Sequence, residues 1–242
     1  MNEKYTAEYF DSFKFSSRAS AEVVVPVVRE WVKPKTVVDF GCGLGMWLSV
    51  WEEAGCDVRG VDGDWVDREQ MAIAPNRFTA HDLSSPIQLD RQFDLAMSVE
   101  AAEHLMPESA SGFVESLTRA APVVLFSASI PNQPGEDHVN CQWPSYWADL
   151  FLARDYVVID SLRYMIWADS RVDWWYRQNI MMYVARSRLT DYPALATLYR
   201  KDAQPLSLVH PELMQTWHDW GMQQSRLYWE LQSRLEGEAD AR

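Results

Sequence analysis

The chain has 242 residues, 48% apolar and 24% charged, which suits one α/β domain with additions around a substantial core. Its net charge of −13 argues against a nucleic-acid partner, because proteins that bind a phosphate backbone present a basic face. No apolar run approaches the roughly 18 residues of a membrane span, and the polar start Met1-Asn2-Glu3-Lys4-Tyr5 lacks a signal peptide's apolar core, so a cytoplasmic protein is expected.

Residues 1–34 precede the first strand. Ser16 or Ser17 is placed to cap a helix running to about Trp31, Pro26 would bend it or mark a restart, and Pro34 ends it. Thr36-Val37-Val38-Asp39-Phe40 then reads as a buried strand, stopped by Gly41, Gly43 and Gly45. Glycine reaches positive φ without steric cost and lets a ligand lie on bare backbone. Met46-Trp47-Leu48-Ser49-Val50-Trp51 resumes as a helix. Strand, glycine turn and helix make the first half of a nucleotide-binding βαβ unit, the helix N-terminus facing the ligand. The glycines run G-x-G-x-G, not the G-x-G-x-x-G of the pyrophosphate fingerprint.

Ala54-Gly55 ends that helix. Val58 to Asp62 is a second strand finishing in an acid, 21 positions after Gly41, where this architecture sets a carboxylate against a ribose. Asp64 is a second candidate for that role, and Trp65 is placed to stack beside an adenine. Arg77 to Leu83 reads as a third strand, with His81 on its opposite face. Phe93 to Glu100 is a fourth strand, followed by Ala101-Ala102-Glu103-His104-Leu105. A helix from Ser109 to Ala121 and a near-continuously apolar fifth strand, Pro122 to Ala128, complete a parallel series.

The D-x-G-x-G-x-G run at Asp39 and the F-D…E-x-x-E-H stretch from Phe93 to His104 resemble motifs of the class I S-adenosylmethionine (SAM) methyltransferases. The resemblance implies a Rossmann-like, doubly wound sheet of seven mostly parallel strands with an antiparallel last strand. It further implies SAM as cofactor, held by Asp39, Gly41, Gly43, Gly45, Trp47 and Asp62, with Asp64 and Trp65 beside them. Asp82 would accept from the adenine amino group, the Leu83 amide would meet a ring nitrogen, and Glu100 would pair with the α-amino group. Glu103 would hold the local turn. His104 would serve either the pocket's structure or the acceptor. Tyr5, Tyr9 and Phe10 would belong to an N-terminal lid or simply pack on the domain.

Ser129 to Pro144 is a long irregular insert on the ligand side of the sheet, within an acceptor loop spanning 129–147. Its H-V-N-x-Q-W-P-x-Y-W run, with the later Trp174-Trp175-Tyr176-Arg177-Gln178-Asn179, resembles a subgroup of bacterial methyltransferases associated with small-molecule and saccharide modification. The recognised pattern covers about residues 35–185 of a domain bounded at 35–186. His138 is the first candidate for a general base, since histidine titrates near neutrality, with Asn140 orienting acceptor or imidazole. Hydrogen bonding of the loop to itself would explain both equally well. Asp137, His138 and Asn140 are too close in sequence to face one ion, and Cys42, Cys56 and Cys141 are scattered, so no metal site is expected.

Tyr156 to Asp160 and Asn179 to Ala185 read as the last two strands. Between them, Trp167 to Tyr176 is placed to wall a pocket, with Arg163, Arg171 and Arg177 available to an acidic acceptor. The extension 187–242 carries a helix from Glu212 to about Leu235, whose Leu213, Trp217, Trp220, Leu227 and Leu231 form a stripe that would pack on the parent domain or join a homodimer. His210 and His218 read as non-catalytic. The sequence thus points to SAM-dependent O- or N-methylation of a small-molecule acceptor, a sugar or natural-product intermediate. A non-methylating or other SAM-using role, a protein methyltransferase, and a nicotinamide dinucleotide enzyme are the alternatives, the last disfavoured by its missing fingerprint.

Overall fold

The computed structural model describes residues 7–201 and 203–240, with side chains from 16 to 201 and from 203 to 231. Two compact units divide at Ser207 and Leu208. The first contains a sheet of seven strands among the described residues: β1 (Thr36–Phe40), β2 (Asp57–Asp62), β3 (Phe78–Ala80), β4 (Leu95–Val99), β5 (Val123–Ser127), β6 (Tyr156–Ile159) and β7 (Met181–Ala185). Their spatial order is β3-β2-β1-β4-β5-β7-β6, and β7 runs antiparallel to both β5 and β6. The expected topology is present. Chain direction across the sheet reverses between β1 and β4, and the crevice at their carboxyl ends is where a ligand binds in such folds.

Alternation along the strands explains why helices cover both faces. Val37 of β1 and Leu125 of β5 face one core, with Ala21, Val24 and Val28 of α1 (Ala7–Val32) and Leu48 and Trp51 of α2 (Met46–Glu53). Val38, Phe40 and Phe126 face the other, with Phe113 and Leu117 of α3 (Ala110–Ala120) and Trp147 and Phe151 of α4 (Pro144–Leu152). Each large side chain wholly removed from water contributes about 1.5–3 kcal/mol. Asp94 fastens β4 to β1: one carboxylate oxygen accepts from the amides of Lys35 and Thr36 at 2.7 and 2.9 Å.

The helix α1 begins at Ala7, ahead of the expected Ser16 or Ser17 cap, and continues unbroken through Pro26. Pro26 and Glu22, whose carbonyl loses its usual partner, are both exposed, so water can replace that bond. Tyr5 lies outside the described residues, as do the side chains of Tyr9 and Phe10, so the lid expectation falls outside them too. The third strand is shorter than expected and ends at Ala80, which leaves Asp82 and Leu83 in the following turn.

After β6 come α5 (Leu162–Ile166) and α6 (Trp174–Asn179), and after β7 comes α7 (Pro193–Leu198). The first unit therefore runs past residue 186 to Ser207. The second unit carries α8 (Pro211–Asp240), in which Trp220, Leu227 and Leu231 of the apolar stripe are exposed. No helix among the described residues is long and apolar enough to cross a membrane.

Candidate active site

The turn after β1 needs its glycines for stated reasons. Gly41, Gly43 and Gly45 all have positive φ, at 86°, 51° and 78°. A Cβ on Gly41 would also collide with that of Ala101. The Asp62 carboxylate grips the turn: one oxygen accepts from the Gly43 amide at 2.8 Å, the other from the Gly63 amide at 2.7 Å. Burial nevertheless raises its pKa against those two bonds. Asp39 is buried with Oδ1 unpartnered among the described residues, and burial, then the Asp62 charge, raises its pKa well above the usual carboxylate range.

Glu100 ends β4 in the left-handed region, at φ 51°. Such strain in a non-glycine residue persists only where surroundings hold it. Here its own amide donates to the Ser127 backbone and hydroxyl oxygens, both at 3.1 Å. Its carboxylate accepts from Gln133 Nε2 at 3.0 Å and from Asn179 Nδ2 at 3.1 and 3.3 Å. Gln133 Oε1 in turn accepts from Asn179 Nδ2 at 2.9 Å and Gln178 Nε2 at 3.0 Å. Two amides thus aim one carboxylate and a third, from Gln178, holds Gln133 in place, although burial still raises the carboxylate's pKa.

Between the glycine turn and Glu100 opens a cavity of about 660 Å³. Trp47, Trp174, Trp175 and Tyr176 form its aromatic wall. Tyr176 is fixed by Trp47, ring to ring at 5.1 Å, and by the Ser17 hydroxyl of α1 at 3.2 Å. Glu103, His104, Gln133, Glu136 and His138 line it as well. The two imidazoles meet edge to face at 4.9 Å. Burial, then the neighbouring His138, lowers the His104 pKa to about 4, and burial lowers that of His138, so both rings are neutral at physiological pH. His138 lies where a Cβ on Gly135 would have to be. Glu103 is fully buried; its Oε1 accepts from Ser129 Oγ at 2.9 Å, and its backbone carbonyl accepts from the amides of Val139 and Asn140. It ties the insert after β5 to the segment that follows β4, a longer-range role than the local turn expected of it.

A family model described as "Methyltransferase domain" matches residues 17–179. The chain belongs to that family. It is a class I SAM-dependent methyltransferase domain. Malonyl-[acyl-carrier protein] O-methyltransferase of Pseudescherichia vulneris is 31% identical over 94 residues, which are 38% of this chain and 37% of the relative. The chain thus spans little more than a third of that relative's length. Among solved structures, an O-methyltransferase family protein from Burkholderia thailandensis superposes with TM-score 0.54 at 13% identity, covering 75% of this chain and 60% of that one. Magnesium protoporphyrin IX methyltransferase from Synechocystis, with bound SAH, gives TM-score 0.51 at 17% identity, covering 72% and 87%. At such identities these two neighbours speak for the fold alone.

In this methyltransferase domain, the cavity wall gathers Asp39, Gly41, Gly43, Trp47, Glu100, His104 and His138 from the residues singled out in the sequence. Gly45 caps α2 directly behind. Asp62, Asp64, Trp65, Asp82 and Leu83 lie outside that wall. The Trp65 ring covers Gly63, and exposed Asp82 accepts from the Ser84 amide at 2.9 Å. Asn140 is buried away from the cavity and accepts from Gln142 Nε2 at 3.0 Å. The expected arginine lining is corrected. Arg163 is buried on Asp160 and the carbonyls of Gln178 and Leu206, Arg177 donates to the Trp167 carbonyl, and Arg171 pairs with Asp169. Sequence reasoning missed Gln133 and the role of Gln178 and Asn179, since amides carry no motif; only the run Trp174 to Asn179 and the insert from Ser129 to Pro144 hinted at them.

Proposed function

We propose that this chain transfers a methyl group from SAM to a small, uncharged or basic acceptor bearing a hydroxyl or amine. The observation that carries this reading is Glu100, strained and cradled by the side-chain amides of Gln133 and Asn179 beside a glycine turn, as an ammonium receptor needs. Asp62, already oriented by two amides, keeps lone pairs for ribose hydroxyls. Trp65, Asp82 and Leu83 are assigned the adenine, and Asp39 supports the turn beneath the amino-acid part. Bound there, SAM supplies an electrophilic methyl group, and the enzyme's task is alignment and proton removal.

The acceptor class follows from charge. Among the described residues the cavity is lined by Asp39, Glu100, Glu103 and Glu136 but by no lysine or arginine, which disfavours an anionic acceptor. The aromatic side chains in the same lining suit a flat or sugar-like face. His138, neutral and seated on Gly135, is assigned the acceptor hydroxyl, whose proton it takes as the oxygen–methyl bond forms. His104 supports that ring edge-on, and Asn140 serves the loop.

Calorimetric titration with SAM and with its demethylated product tests the cofactor reading. One site is expected, weakened in Glu100→Gln and Asp62→Ala. Absence of heat with either compound overturns the proposal. Incubating the enzyme with SAM and a panel of neutral, basic and acidic metabolites, and reading mass shifts of one methyl group, tests the acceptor class.

A further inference from the structure

One group of side chains in the cavity has a chemistry that methyl transfer by alignment does not require. A carboxylate oxygen of Glu103 and a ring nitrogen of each of His104 and His138 lie within 4.8 Å of one another. Glu103 is fully buried; its carboxyl is hydrogen-bonded to that of Glu100, and its Oε2 accepts no hydrogen bond from a donor among the other described residues. His138 Nδ1 is likewise buried and unpartnered. Leaving such acceptors unpaired costs about 1–3 kcal/mol each, more when charged, and a cation held between them would offset that cost. The Asp137 carbonyl accepts from His104 and the Gln133 carbonyl from His138. Backbone acceptors of this kind fix the tautomer and orientation of metal-bound imidazoles.

We propose that Glu103, His104 and His138 bind one divalent transition-metal ion, best matched by Zn2+, with an open coordination position toward the cavity. Two imidazoles and one carboxylate are a zinc donor set that leaves a fourth place for a substrate oxygen. Tetrahedral donors about 2.1 Å from zinc stand about 3.4 Å apart, so the widest pair need close by no more than about 1.4 Å. That is within the reach of small side-chain rotations. The ion also supplies positive charge to a cavity whose described lining holds four acids and no basic side chain other than the two histidines.

This assignment rests on reading the cavity as the acceptor site and names how it would act. A hydroxyl bound at the open position becomes more acidic. Its oxygen forms the new bond to the methyl carbon, the sulfur–carbon bond breaks with the electron pair staying on sulfur, and the hydroxyl proton passes to water. With the ion present, His138 is a ligand and water takes the proton in its place.

The test titrates Zn2+ alone into the full chain after treatment with a chelator, with Co2+ used in parallel for its visible spectrum. One equivalent is expected to bind, and Co2+ is expected to give the bands of a low-coordinate nitrogen–oxygen site. His104→Ala, His138→Ala and Glu103→Gln should each weaken Zn2+ binding by more than about tenfold, since even changes to outer-shell partners cost that much. No Zn2+ binding in the parent, or affinity unchanged across the three variants, overturns the proposal. SAM is titrated separately into every variant. Retained SAM binding certifies the fold, and Glu103→Gln, which keeps the side chain's size, decides the matter where an alanine variant fails to fold. Loss of SAM binding by the parent would strike the proposed function; loss of Zn2+ binding with SAM binding intact strikes only the metal site.

Discussion

The side-chain amide of Asn179, at the end of α6, donates to both carboxylate oxygens of Glu100, at the end of β4, across 79 residues of sequence. The same nitrogen reaches Gln133 Oε1 at 2.9 Å, so one amide ties three distant segments to the floor of the cavity. Asn179→Ala leaves a buried carboxylate short of a donor, which costs about 1–3 kcal/mol. A lower unfolding midpoint in urea and SAM binding weakened by about tenfold are expected. Unchanged SAM affinity would separate the amide cradle from cofactor recognition.

The glycine turn makes a second prediction. Gly41→Ala meets two separate penalties, a positive φ of 86° and a collision with the Ala101 side chain. The first costs about 1–2 kcal/mol and the overpacking about 1–3 kcal/mol. Adding Ala101→Gly should restore only the steric share. Denaturant melts of the single and double variants separate the two; full restoration would show that backbone conformation at Gly41 is not costly.

A third concerns pH. Burial raises the pKa of Asp39 well above the usual carboxylate range and that of Asp62 above its ordinary value. The folded protein then holds protons that the unfolded chain has released at the same pH. Stability from these groups is complete below the ordinary carboxylate pKa and is lost as pH rises through the raised folded values. Ligand-free Asp39→Asn should therefore melt higher than the parent at neutral pH, with a shallower decline from mild acid to neutral. Thermal melts over that range check the slope; parallel curves would remove Asp39 as its source.

What was legible in the sequence follows from how local each signal is. Period-two apolar runs, strand-ending acids and the glycine triplet depend on a few neighbouring residues, so β1, β2 and β4 with Asp39, Asp62 and Glu100 were read in place. The joining of His104 to His138 and of Glu103 to Ser129 depends on how the insert after β5 folds back over β4, which no spacing encodes. Adjacent residues 137–140 offered no ligand geometry, yet folding supplies a carboxylate and an imidazole from another segment. The arginines misled for a related reason: a guanidinium in an aromatic stretch looks available until its carbonyl partners are known.

Arg163 supplies the last prediction. It is fully buried, its Nε donates to Asp160 at 2.7 Å, and its terminal nitrogens reach Asp160, the Gln178 carbonyl at 2.8 Å and the Leu206 carbonyl at 3.0 Å. The planar fork satisfies three partners at once, which a lysine ammonium of smaller reach does not. Arg163→Lys keeps the charge beside Asp160 but leaves the Gln178 and Leu206 carbonyls short of a donor, which should cost about 1–3 kcal/mol each. Gln178 is joined to Asn179 and Gln133, so the loss should travel to Glu100 and weaken SAM binding as well. Calorimetry below the melting transition isolates that second effect, with Asp160→Asn, which keeps Arg163 on its two carbonyls, as the milder comparison. Arg163→Lys that melts early yet binds SAM as tightly as the parent would show that the clamp stabilises α6 without positioning the amides under Glu100.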